Sequence, residues 1–121
     1  MGSKDSLKTG TLEMLILKIL SEEDCYAYQL VQVIEKLTDG IITVPMGSMY
    51  PRIYALEKKG YISESNVKKV SRTERQYYHL EKEGEEELKR LLDNYYKTVD
   101  ATEKVLSYTA TTKEKIEKDV I

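Results

Sequence analysis

The sequence predicts a mainly α-helical fold with one small β-hairpin, followed by a long C-terminal helix. Three observations predict it. Apolar residues recur at helical spacing in four separate stretches. One stretch, "YISESNVKKVSRTERQYYHL", instead places two β-rich runs around a polar tip. Charged residues make up 33% of the 121 residues and hydrophobic residues 40%, the balance of a globular chain.

The first helix is "TLEMLILKILSEE". Leu12, Leu15, Ile16 and Ile19 form one stripe, and Met14, Leu17 and Leu20 widen it nearly all the way round. A helix apolar on most faces must be covered on most faces. In a chain this small, a second subunit is the economical cover. "CYAYQLVQVIEKLTDG" is the second helix, with Tyr26, Leu30, Val33 or Ile34, and Leu37 as its buried stripe. Asp24 is its expected N-cap and Asp39-Gly40 its stop. "IITV" is either a brief strand or an extended link.

The third helix lies in "GSMYPRIYALEKKGYI", residues 47–62. Met49, Ile53 and Leu56 face the core and Gly60 ends the helix. With Ser48 as N-cap, Pro51 falls in the first turn, where its missing N–H has no intrahelical partner to lose. A start near Pro45 would instead let Pro51 bend the helix. Ser48, Tyr50, Pro51, Arg52, Ala55 and Lys59 are expected on the outward face. The hairpin tip then carries Lys68, Lys69, Arg72 and Arg75. In the last helix, Leu88, Leu92, Tyr95, Val99, Thr102 and Leu106 step by 4, 3, 4, 3, 4, a heptad seam with one polar position. The seam is expected to be intermolecular, with Leu12, Leu15, Ile16 and Ile19 of the first helix as the other dimer surface. Residues 8–80 are read as one domain, 81–108 as a dimerisation helix and 109–121 as a polar tail.

Charge is unevenly spread. The net charge is −2. Residues 47–75 carry net +4 between two segments of net −3 each. A basic segment between acidic ones points to a local anionic partner. Helix, helix, helix, hairpin is the order of a winged helix-turn-helix, whose third helix enters the DNA major groove. The polar, hydroxyl and cationic groups of that helix then suit base edges and phosphates. Arg52 suits a forked contact, Tyr50 a phosphate hydrogen bond, and the wing cations the sequence-blind part of the affinity. The competing reading is a winged-helix protein-interaction module, which would have no need of the local positive charge.

Enzyme chemistry finds little support. His79 is the lone histidine and alternates with Tyr78 and Leu80 on a strand. No Gly-rich phosphate loop, metal-ligand spacing or nucleophile elbow occurs, and neither a metal nor a cofactor is expected. Cys25 is alone, which excludes an internal disulfide and suits a reducing cytoplasm. No secretory pattern opens the chain and no apolar run reaches membrane-spanning length, so no membrane partner is expected.

Two motifs carry a family resemblance. Met49-Tyr50-Pro51, Ile53, Leu56-Glu57 and Gly60 form the first; Arg75, Tyr77-Tyr78, Leu80 and Glu83-Gly84 form the second. Together they resemble the PadR family of bacterial transcriptional regulators, over residues 8 to 106, and its smaller size class. The resemblance implies a homodimer held by the C-terminal helix against the partner's first helix. It also implies a repressor on a palindromic operator and, for some members, release by an aromatic or drug-like effector. The chain departs from the family at Glu81, where a threonine usually caps the last helix. It also lacks the tryptophan that stacks such ligands; Tyr95 and Tyr96 are the nearest substitutes.

Overall fold

In the computed structural model, residues 8–70 and 72–120 are described. The order is α1 (Thr9–Leu20), β1 (Cys25–Tyr26), α2 (Ala27–Leu37), α3 (Met46–Lys58), β2 (Ile62–Val70), β3 (Thr73–Leu80), α4 (Lys82–Leu106) and α5 (Ala110–Val120). The three strands form one antiparallel sheet in the order β1-β3-β2.

Helix α3 sits at the centre. Its stripe Met49, Ile53 and Leu56 is fully buried, against Ile16 and Leu17 of α1 and Leu30 of α2 in the same core. The helix ends in a Schellman motif. Gly60 takes φ +80°, the Tyr61 N–H donates to the Leu56 carbonyl at 3.0 Å, and the Gly60 N–H donates to Glu57 at 2.9 Å. Helix α2 stops the same way, with Asp39 at φ 51° and the Gly40 N–H on the Glu35 carbonyl at 2.8 Å.

Several boundaries differ from the sequence reading or decide between the alternatives it left open. Helix α2 starts after Tyr26, not Asp24, because Cys25 and Tyr26 pair with Tyr78 and Tyr77 as a short third strand. Leu37 is 78% exposed rather than in the buried stripe, since α2 outlasts the core. "IITV" is a link without strand pairing, anchored by buried Val44. Helix α3 starts after Pro45, so Ser48 lies inside it and Pro51 is its sixth residue. Pro51 cannot donate to the Gly47 carbonyl, but both residues are exposed and water can serve that acceptor. The segment after 109 is helical as α5.

The hairpin bulges once. Glu64 pairs with Tyr78 and Val67 with Gln76, so Ser65 and Asn66 face Tyr77 alone. Such a bulge raises the local twist of the wing. Helix α4 begins hard against the hairpin root. The Glu81 N–H donates to the Tyr61 carbonyl at 2.9 Å, and the Ser63 hydroxyl donates to the Glu81 carboxylate. Gly84 is buried there, and a Cβ on it would collide with that same Tyr61 carbonyl.

The chain divides into two compact units between Leu91 and Leu92, inside α4. The expectation that one subunit cannot cover α1 needs correction. Leu12 and Ile16 are buried at 5% and 0% exposure within the chain itself, as is Leu88 at 7%. These three belong to the protomer core, because α3 packs on α1 and β3 closes it from another side. Leu15 and Ile19 remain half-buried. In the second unit, Tyr95, Val99 and Leu106 are exposed, whereas Leu92 at its start is half-buried.

Candidate nucleic-acid interface

At 100° per residue, the side of α3 opposite Met49, Ile53 and Leu56 carries Gly47, Pro51, Tyr54 and Lys58, with Ser48, Ala55 and Tyr50 beside them. Gly47, Ser48, Tyr50, Pro51, Tyr54 and Lys58 are all exposed. Tyr50 and Tyr54 stack, with centroids 5.9 Å apart and planes 26° from parallel. The face is therefore hydroxyl-bearing and only lightly charged.

Arg52 and Lys59 are not on that face, contrary to the sequence reading. One heptad apart, they share the flank turned to α1 and close on one carboxylate. Arg52 Nη1 lies 3.2 Å from Glu13 Oε2, and Lys59 Nζ lies 3.6 Å from Glu13 Oε1. The Glu13 side chain is only 9% exposed, so its charge needs these partners. The Glu13 carboxylate, with Arg52 on one oxygen and Lys59 on the other, thus ties α3 to α1. Tyr54 and Lys58, which the sequence reading left out, take the outward places. Placing every residue of α3 around its axis, rather than its polar residues alone, would have found them.

The wing cations divide into two groups. Lys68, Lys69 and Arg72 are exposed. Lys68 still lies over the Tyr77 ring, 4.6 Å from its centroid. Arg75, paired with Lys68 toward the tip, is half-buried, with its guanidinium 4.4 Å from the Tyr26 centroid and Nη1 donating to the Tyr26 hydroxyl at 2.9 Å. Tyr26 and Tyr77 meet edge to face at 5.3 Å. The contacts run Lys68, Tyr77, Tyr26, Arg75, two rings between two cations, and brace the hairpin against β1.

Between the hairpin and the start of α2 runs an open cleft of 240 Å³, bordered by Tyr26, Tyr28, Arg75 and Gln76, by the acidic Glu74, and by Tyr50 from α3. It begins at the first turn of α2, where no side chain caps the helix and the N–H groups keep a partial positive charge. Tyr28 is exposed there and was not singled out from the sequence. Its signal was position alone, the second residue of α2 and off the stripe of Ala27, Leu30 and Ile34.

The remaining reactive groups are structural. Burial, with help from Glu23 and Asp24, pushes the Cys25 thiol up to about 11, so it stays protonated and unreactive. His79 Nδ1 sits 2.8 Å from Asp24 Oδ1 on the surface. Among the described residues, no group of His, Cys, Asp and Glu could hold a metal ion, and no helix is long and apolar enough to cross a membrane.

Known proteins resemble this chain in sequence and fold. The Escherichia coli transcriptional regulator YqjI is 35% identical over 81 residues, 64% of this chain. The match covers 39% of YqjI, so this chain spans about two-fifths of the curated relative's length. A PadR-like transcriptional regulator from Bacillus cereus is 30% identical with a TM-score of 0.70, covering 83% of this chain and 95% of that one. Bacillus subtilis PadR in complex with operator DNA shares the fold at 21% identity and a TM-score of 0.61, over 68% of this chain and 47% of that one. The PadR-like family model matches residues 16–90, which span the α1–α3 core, the wing and the start of α4, and the chain belongs to that family of transcriptional regulators.

Proposed function

We propose that this regulator is a repressor that binds a palindromic operator as a homodimer, with α3 in the major groove and the wing on the backbone. One observation carries the reading: Tyr50 of α3 and Arg75 of the hairpin border the same cleft. A DNA strand passing through that cleft would meet the Tyr50 and Tyr28 hydroxyls on one side and Arg75 on the other. The exposed Lys68, Lys69 and Arg72 would add phosphate contacts further along. The Bacillus subtilis relative bound to operator DNA supports the same use of the fold. With Arg52 held by Glu13, base reading falls to Ser48, Pro51, Tyr54, Ala55 and Lys58, through hydroxyl, ammonium and apolar contacts.

Dimerisation would cover the apolar positions the protomer leaves open: Leu15 and Ile19 in one unit, Tyr95, Val99 and Leu106 in the other. Such a protein would work in the cytoplasm, where its operator is. An aromatic or drug-like effector, if this member takes one, would meet tyrosine faces such as the edge-to-face pair Tyr95 and Tyr96, 5.3 Å apart. The test is a mobility-shift assay on the DNA upstream of the protein's own gene. Retardation of that DNA at salt where scrambled DNA is not retarded supports the proposal. Equal or no retardation of both would favour the protein-interaction reading instead.

A further inference from the structure

Glu13 is the one buried charged residue among those described, and it stands in an otherwise apolar run of α1. It is covered by two cations from the recognition helix, Arg52 at 3.2 Å and Lys59 at 3.6 Å. Arg52 borders the DNA-facing side: Ser48 and Ala55, four residues before it and three after, lie on that side's near edge. A guanidinium on so long a stem could reach a phosphate from there if nothing held it back.

We propose that Glu13 is a specificity-determining residue that withholds Arg52 and Lys59 from DNA. The inference rests on the reading that α3 and the wing contact DNA. Cations that reach phosphates raise affinity for every sequence alike, through counterion release. A recognition helix that keeps two of its cations on an internal carboxylate lowers the sequence-blind term and leaves the base contacts untouched. Glu13 itself touches no DNA; it acts through the two side chains it holds.

Glu13→Gln removes the charge and preserves the shape. Its salt dependence of DNA binding should steepen by about one unit of logarithmic slope, or up to about two if Lys59 also reaches a phosphate, at about 0.9 per contact. The ratio of operator to scrambled-DNA affinity should fall several-fold. Adding Arg52→Gln and Lys59→Gln to that variant should return the slope to the wild-type value. A merely structural role for Glu13 would change affinity without steepening the slope. A folded Glu13→Gln dimer with unchanged slope and ratio overturns the proposal. If Glu13→Gln fails to fold, Lys59→Ala decides, because the Lys59 side chain is half-exposed. An unchanged slope for Lys59→Ala supports the lock, and a slope shallower by about one unit overturns it. Wild-type protein that binds no DNA would overturn the interface reading, and the lock with it. Wild-type binding with the wrong slopes overturns the lock alone.

Discussion

The Arg75 guanidinium lies over the ring of Tyr26, and its Nη1 donates to the hydroxyl of that same residue at 2.9 Å. Forty-nine residues separate the two in sequence, and the contact joins β3 to the end of β1, just before α2. Arg75 therefore has a structural partner whatever else it touches. Arg75→Ala should lower stability by about 1–2 kcal/mol, the sum of one hydrogen bond and one cation–π contact. Tyr26→Phe keeps the ring beneath the cation and should lose only the hydrogen bond, about 0.5–1.5 kcal/mol. Urea unfolding of both variants measures this. Equal losses would mean that the ring contributes nothing.

The exposed wing cations are expected to act on phosphate. Changing Lys68 and Lys69 to Ala should flatten the logarithmic salt slope by roughly one to two units, at about 0.9 per contact. Operator and scrambled DNA should weaken together, because phosphate contacts carry no sequence information. Lys68 also leaves the Tyr77 ring in this variant, which removes one brace of the hairpin. Titrations at several salt concentrations decide the matter; an unchanged slope would remove both lysines from the interface.

Gly84 is fixed by contact rather than by backbone conformation. The first turn of α4 lies so close to the hairpin root that a methyl group would strike the Tyr61 carbonyl and the Leu80 side chain. The carbonyl cannot move freely, because it accepts from the Glu81 N–H. Gly84→Ala should therefore destabilise the fold by about 1–3 kcal/mol, the usual cost of overpacking, despite the better helix propensity of alanine. A stability equal to wild type in thermal or urea unfolding would show that α4 can shift away at no cost.

Much of this was legible in the chain, and the exceptions share a cause. Met49, Ile53, Leu56 and Gly60 were readable because the stripe and its stop lie within one helix. The hairpin and the Asp39-Gly40 stop were readable for the same local reason. The failures at Arg52 and Lys59 are different. Their partner Glu13 lies 39 residues before Arg52, and helical spacing says nothing about which flank of α3 meets α1. The sign that was present is a glutamate inside "TLEMLILKIL", where an isolated charge would be costly without a partner. Leu12 and Ile16 were assigned to a dimer face because cover by the chain's own β3 and α3 is a tertiary fact. Tyr26 left its helix for β1 through pairing with Tyr77, also remote in sequence.

The surface pair of His79 and Asp24 gives a small pH dependence. The hydrogen bond to Asp24 raises the His79 pKa, and the same bond lowers that of Asp24. A raised imidazole contributes stability below its unfolded value, near 6.5, and loses it as pH rises through the folded value. A lowered carboxylate contributes above its unfolded value, near 3.8, and loses it as pH falls. The pair therefore stabilises most between those two titrations. Both side chains are more than a third exposed, so solvent screening holds the gain to roughly 0.2–1 kcal/mol. Asp24→Asn should cost that much near pH 5.5 and little at pH 9. A loss that is the same at both values would assign the effect to packing instead of charge.

The proposed dimer makes the strongest demand on the second unit. Tyr95, Val99 and Leu106 are 42%, 40% and 72% exposed, and they continue the seam that begins at buried Leu88 and half-buried Leu92. The polar position of the seam is already satisfied, since the Thr102 hydroxyl donates to the Thr98 carbonyl at 2.7 Å. A partner helix could thus cover it without stranding a donor. Each apolar side chain so covered contributes roughly 1.5–3 kcal/mol on full burial, and less in proportion when part-buried. Replacing Leu92 and Val99 together by Asp puts two carboxylates per chain into the seam, four in a two-fold dimer, with no cation on the seam positions to pair them. The variant should run as a monomer in light scattering. Wild-type melting temperature should rise with protein concentration, and that dependence should vanish in the variant. Operator affinity should drop to that of one half-site, because only a dimer can engage both halves of a palindrome together. A variant that stays dimeric at normal stability would place the subunit contact elsewhere, with Leu15 and Ile19 of α1 as the next surface to change.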